Sequence, residues 1–264
     1  MKYLILALLC VSCGFKVPDV QTPGRSFKMI LWGSSDGRDS DMAFATEGDP
    51  EPSIPYALNI TRWNRPDFTL SGYNPGKIVA FIIDEPFWDA SSSTNEPCGN
   101  PDIINAQVNL NATIANLKVY APSALIWINF SPPEMDWQIY YNCGINLLAA
   151  NADVFSVDLY WAPVPTQYYD WLLANKTSNQ RLAMILGTFY RDGQDDQGTV
   201  AGYMQGYFDY AGAHPEVWAV AGWSSQTFEQ GGVMWRGEFD PVSTLLHLEW
   251  SREQALSYPS AYYW

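Results

Sequence analysis

Residues 78–86 read Ile78-Val79-Ala80-Phe81-Ile82-Ile83-Asp84-Glu85-Pro86, an unbroken apolar run that ends on two carboxylates and a proline. Such a run, rich in β-branched and aromatic residues, has the pattern of a parallel strand buried on both faces. Ala124–Phe130, Val154–Tyr160, Leu182–Phe189 and Val217–Trp223 share that character. Helix-compatible stretches lie between them: Pro101–Tyr120, Asp136–Ala150, Pro165–Asn175 and Gln197–Ala213. In the first of these, Ile103, Val108, Ile114 and Leu117 are spaced for one apolar face. Upstream, Phe27–Trp32 reads as a first strand and Ile54–Ile60 as a third, with a weaker second element between them. Strand–helix alternation with short links predicts βαβ units and a parallel sheet. Eight strands in one chain of this length predict an α/β fold, a closed (β/α)8 TIM barrel, as a single domain over residues 14–264.

The amino terminus reads as a targeting segment, residues 1–13. Lys2 gives a positive start, Tyr3–Val11 are apolar, and Ser12-Cys13-Gly14 supply small residues for cleavage. The apolar run is far shorter than the roughly 20 residues that span a bilayer, so the expectation is a signal peptide and an exported protein. Cys10-Val11-Ser12-Cys13-Gly14 also resembles a bacterial lipobox, which would make Cys13 the lipidated first residue of a periplasmic or cell-surface lipoprotein. A lipid anchor would then be the one contact with a membrane. Asn59, Asn111 and Asn175 begin N-x-Thr sequons, the competing pattern of a eukaryotic secreted protein.

Charge narrows the partners. A net charge of −14, with only 14 Lys and Arg, disfavours polyanions and speaks against nucleic acid. Aromatic residues are 15% of the chain and include 12 Trp, enough both for a Trp-rich core and for flat rings on which sugar C–H faces pack. Beyond residue 13 the cysteines are Cys98 and Cys143, an even pair suited to a disulfide in an oxidising compartment. That bridge would stabilise by roughly 3–4 kcal/mol in the chain-entropy account. His214 and His247 are the only histidines and neither lies near a cysteine, so no metal site and no cofactor is expected. The sequence sets no oligomeric state.

In a (β/α)8 barrel, functional residues gather at the carboxyl ends of the strands. Those ends supply Trp32, Asp84, Glu85 and Trp88, then Asn129, Asp158, Tyr160 and Trp161, and finally Tyr190, Trp223 and Gln226. Carboxylates, amides and indoles with few cations suit hydrogen bonding and stacking of neutral sugars. Glycoside hydrolysis needs a general acid and a second carboxylate. Glu85 ends an apolar strand, where burial would raise its pKa toward that of an acid. Adjacent strand residues point to opposite faces, so one of Asp84 and Glu85 should face inward unless the chain bends; the expectation is Glu85, with Asp158 as its partner.

At these residues the chain resembles the large clan of glycosidase barrels. Ile83-Asp84-Glu85-Pro86 is similar to the clan's Asn-Glu-Pro strand-four ending, whose Glu is the acid/base. Residues Ala152–Tyr160 resemble its Asp-hydrophobic-hydrophobic-Ser-hydrophobic-Asp-x-Tyr strand, Pro122–Phe130 the strand before it, and Ala221-Gly222-Trp223 the last strand. The resemblance implies a glycoside hydrolase with Glu85 as general acid and Asp84, Asp158 and the rings around the sugar. Two departures qualify the implied mechanism. Asp84 replaces the Asn that contacts the 2-hydroxyl, and Ile185–Tyr190 contain no carboxylate where the clan's nucleophile stands. Asp158 or Asp192 could supply the second carboxylate, or a substrate acetamido group could act as nucleophile. The alternative reading is a non-catalytic glycan-binding or surface-assembly protein on the same scaffold. A different hydrolase finds no support in any Gly-x-Ser-x-Gly, His-Glu-x-x-His or phosphate-loop pattern.

Overall fold

The computed structural model describes residues 28–31, 42–61, 70–88, 100–141, 148, 151–223 and 228–236. Trp32, Gln226, Cys13, Cys98 and Cys143 and the leader lie outside the described residues.

The chain is mixed α/β. Strands β1 (Lys28–Leu31), β2 (Ala43–Thr46), β3 (Tyr56–Asn59) and β4 (Ile78–Asp84) precede helix α1 (Pro101–Tyr120). Then follow β5 (Leu125–Phe130), α2 (Pro132–Tyr140), β6 (Val154–Val157), α3 (Thr166–Asn175) and β7 (Arg181–Gly187). The remainder is β8 (Tyr190–Arg191), α4 (Gln197–Ala213), β9 (Val217–Trp223), β10 (Phe228–Gln230) and β11 (Val233–Arg236).

Eight of these strands form one sheet in the order β1-β9-β7-β6-β5-β4-β3-β2, and every neighbouring pair is parallel. The sheet curls far enough that a parallel bridge joins Ile30 of one edge strand to Met42 beside the other. From β2 to β7 each strand lies beside the one before it in the sequence.

Two apolar clusters divide the residues by strand parity. Phe81, Ile83, Ile126, Ile128, Phe155, Met184 and Leu186 pack with Leu110, Ile114, Leu117, Leu172, Met204 and Phe208 of the helices. The alternate positions Ile30, Phe44, Ala57, Ile82, Trp127, Val154, Ala183, Ile185 and Ala221 form a second cluster that contains no helix residue. The first is the sheet–helix layer and the second is the inside of the curl. Period-two alternation therefore decides which side chains reach the inner face at the strand ends.

The ends of α1 and α4 match the sequence reading because their caps are local. Asn100 accepts from the Asp102 N–H, and Asp196 accepts from the Thr199 N–H. Helix α2 starts four residues earlier than expected, at Pro132, because Ser131 and Glu134 form a capping box. A feature absent from the sequence reading is a small antiparallel sheet in the order β10-β11-β8. Tyr190 and Arg191 belong to this sheet and not to the end of a longer seventh strand. Ion pairs pin it: Arg236 to Asp192 at 2.6 Å, and Arg191 to Asp195 at 2.7 Å.

Candidate active site

The inner-face parity of β4, Ala80 and Ile82, continues to Asp84; that of β5 runs from Trp127 to Asn129. On β6, Val154 leads to Ser156 and, one step past the strand, to Asp158, which bridges to Ile185. Asn59 occupies the same position on β3, Gly187 on β7 and Trp223 on β9. The mouth is thus polar on the β3–β6 side and aromatic on the β7–β9 side.

This parity corrects one expectation. Asp84, not Glu85, takes the inward position of the strand. Glu85 leaves the strand with φ 41, a left-handed conformation that a branched-free acidic residue adopts only where its surroundings hold it. That bend releases Glu85 from strand alternation, and the charges of both Asp84 and Glu85 reach Tyr160. The Glu85 N–H donates to the Asn129 carbonyl at 2.9 Å, and its carbonyl accepts from the Trp88 N–H at 3.1 Å.

Behind Asp84 runs a buried relay. Trp127 Nε1 donates to Ser156 Oγ at 2.7 Å, Ser156 Oγ donates to Asn129 Oδ1 at 2.7 Å, and Asn129 Nδ2 donates to Asp84 Oδ1 at 2.8 Å. Asn129 was expected to touch sugar; it is 1% exposed and its amide is occupied within the protein. Burial raises the Asp84 pKa, with the Asn129 hydrogen bond opposing. Burial, and then the charge of Asp84, push Asp158 up to about 7, with hydrogen bonds from Tyr160 and Asn129 pulling back. The Tyr160 hydroxyl donates to Asp158 Oδ2 at 2.7 Å. Its own pKa lies well above 10, through burial and then Asp158, with Asp84 and Glu85 adding to the same push. All three expected carboxylates are therefore brought within electrostatic reach of one phenol.

The expected rings also assemble. Tyr160 stacks on Trp223 at 4.9 Å, and Phe189 meets Trp223 at 5.2 Å and Trp161 at 4.8 Å. Trp161 has φ 54 and carries the Arg191 guanidinium 4.1 Å above its ring. Trp235 of the small sheet stacks on Phe189 at 5.4 Å. Trp88 is 42% exposed beside Glu85. Tyr190 does not join the mouth; it is 4% exposed and packs in the sheet–helix layer, so its expected sugar contact is withdrawn.

The end of β7 explains the missing carboxylate. A Cβ added at Gly187 would lie 3.3 Å from Tyr160 Cβ and 3.4 Å from Phe189 Cε1. The space in which an inward acid would stand is filled by these two rings. Next to it the Thr188 N–H and hydroxyl both donate to the Trp223 carbonyl, at 3.1 and 2.9 Å. Asp192 and Asp195 pair with arginines of the small sheet and offer no substitute.

Four contributors escaped the sequence reading: Asn59, Glu134, Phe189 and Trp235. Asn59 is 7% exposed, and its Oδ1 has no hydrogen-bond partner among the described residues. Glu134 is fully buried and accepts from the Ser131 N–H, the Ser131 hydroxyl and the Phe87 N–H at 2.6, 2.9 and 2.6 Å. Its capping-box spacing was legible; its reach across to Phe87 was not. Among the described residues no group of three or more His, Cys, Asp or Glu could hold a metal ion.

No protein-family model and no curated protein matches this chain. Solved structures do. Over 78% of this chain the fold superposes on Bacteroides uniformis β-glucuronidase 2, covalently bound to cyclophellitol-6-carboxylate aziridine, with TM-score 0.56 and 10% identity. The chain spans 31% of that enzyme's length. A psychrophilic family 10 endo-β-1,4-xylanase aligns over 75% of this chain and 86% of its own, at TM-score 0.48 and 11% identity. The Ignisphaera aggregans GH53 catalytic domain aligns over 79% and 82%, at TM-score 0.42 and 10% identity. The first of these likenesses shows that the chain shares its α/β fold with that enzyme over the aligned residues.

Proposed function

We propose that this chain is an exported glycoside hydrolase on a closed (β/α)8 barrel, with Glu85 as its general acid. The observation that supports it most is the left-handed turn at Glu85, which sets Asp84 and Glu85 at one mouth beside Tyr160. Glu85 is half-buried on a turn outside the strand, where its carboxyl can reach a glycosidic oxygen and protonate the leaving group. Asp84, held by Asn129, supplies negative charge where the oxocarbenium-like centre develops. Asp158 stands behind Tyr160 and fixes the phenol, and Trp223, Trp161 and Trp88 offer the faces on which a sugar stacks. A substrate acetamido group in place of an enzymic nucleophile fits the filled space at the end of β7.

The test is release of reducing sugar from a panel of neutral, N-acetylated and uronic glycans. Wild type is expected to turn over at least one, and Glu85→Gln to lose at least 100-fold in kcat with its melting temperature unchanged. Equal activity of the two proteins would refute the assignment.

A second reading is a glycan-binding protein that does no chemistry. It is favoured by the closed end of β7, where Gly187 and Thr188 stand in place of a carboxylate. Binding of an oligosaccharide that both Glu85→Gln and wild type hold without cleaving it would select this reading.

A further inference from the structure

We propose that Glu134 is a positioning residue for Glu85: its buried carboxylate clamps the Phe87 N–H and so maintains the left-handed turn from which Glu85 acts. The inference rests on the reading of Glu85 as the acid.

The turn is held from both sides. Upstream, the Glu85 N–H is tied to Asn129 of β5. Downstream, two residues on, the Phe87 N–H donates to Glu134 Oε1 at 2.6 Å, from the first turn of α2. Left-handed φ at a residue with a Cβ carries a cost and persists only where neighbours over-determine it. Glu134 does more than cap its own helix. The Ser131 N–H and hydroxyl both go to Oε2, which leaves Oε1 free for a segment 47 residues away. A cap alone has no need of that second contact. Pro86 and Phe87 are themselves buried, so the Phe87 N–H cannot find water in place of Glu134. Burial raises the Glu134 pKa, the hydrogen bonds from Ser131 and Phe87 to its ionised form oppose the rise, and the Glu85 charge adds to it, which places the two carboxyls within electrostatic reach.

Glu134→Gln supplies the test, because an amide offers one acceptor and one donor where two N–H groups on opposite sides need two acceptors. Val217→Ala, at the far end of the barrel and buried, serves as a comparison that lowers stability without touching the turn. Amide exchange of the wild type comes first: the Phe87 N–H should be protected as deeply as the strand amides. Fast exchange there would overturn the proposal whether or not the chain is a hydrolase. In Glu134→Gln, a crystal structure should show position 85 relaxed to negative φ. On a substrate found by the glycan panel, kcat should fall about 10- to 100-fold with KM within about twofold. Val217→Ala should retain wild-type kcat at matched loss of melting temperature. An unchanged φ at Glu85 in Glu134→Gln would overturn the clamp. A kcat loss no larger than that of Val217→Ala would overturn the catalytic consequence. If the wild type cleaves nothing while the exchange and φ results hold, the hydrolase reading has failed and the clamp has not.

Discussion

The Tyr160 hydroxyl donates to Oδ2 of Asp158 at 2.7 Å, and the carboxyl that accepts it belongs to a residue only 8% exposed. A carboxylate so far removed from water is a costly anion, which is why burial, and then the charge of Asp84, push its pKa from 3.8 to about 7. The sign is definite. A folded-state pKa above the unfolded one contributes stability that is full below about pH 4 and lost as pH rises through 7. Asp158→Asn keeps an acceptor for Tyr160 and removes the titration. Its stability relative to wild type should rise between pH 4 and 7, by up to a few kcal/mol, in urea unfolding at a series of pH values. A difference that does not vary with pH would contradict the account.

Asn129 holds Asp84 and Ser156 at once, so Asn129→Ala leaves a buried donor and a buried acceptor without partners. The expected cost is about 2–4 kcal/mol in chemical denaturation, well above that of a surface Asn. Asn129→Asp should cost more, since it replaces the donor to Asp84 with a third carboxyl.

Gly187 admits Tyr160 and Phe189 at the distance of a missing Cβ. Gly187→Ala should displace Tyr160 and cost about 1–3 kcal/mol by overpacking. Near-ultraviolet circular dichroism would follow the loss of the Tyr160–Trp223 stack. Gly187→Glu, intended to restore an inward carboxylate, should fail to fold, not gain activity.

Arg191 forks onto Asp195 through Nε and Nη2, at 2.9 and 2.7 Å, while lying over Trp161. Lysine can provide neither the fork nor the flat stacking. Arg191→Lys should cost about 1 kcal/mol and increase the exposure of the small sheet to limited proteolysis.

Strands β4, β5, β7 and β9, helices α1 and α4 and the weak second element were legible because apolar runs and caps are local, whereas β6 stops at Val157 and α2 begins at Pro132. The small sheet was not, because Tyr190-Arg191 is two residues long and its partners lie across the chain in Phe228–Gln230 and Val233–Arg236. Of the candidates read from strand ends, Asp84, Glu85 and Asp158 lie within electrostatic reach of Tyr160, which stacks on Trp223, while Trp161 meets Phe189. Which of Asp84 and Glu85 faces inward was not, since that depends on parity from Ala80 and on a backbone angle that side-chain pattern does not encode. Tyr190 and Asn129 were assigned to sugar because a strand end looks alike whether it opens to solvent or packs under another layer. Glu134 needed a contact over 47 residues of sequence, and no local rule reaches so far.

The central claim is that Glu85 meets a glycosidic oxygen at this mouth. It is tested most directly by the crystal structure of Glu85→Gln with an oligosaccharide chosen from the panel. The expected result is a sugar stacked on Trp223 or Trp161, with the position-85 side chain about 3 Å from the bridging oxygen of an intact linkage. A sugar held on the rings with every bridging oxygen beyond hydrogen-bond reach of that side chain would contradict it.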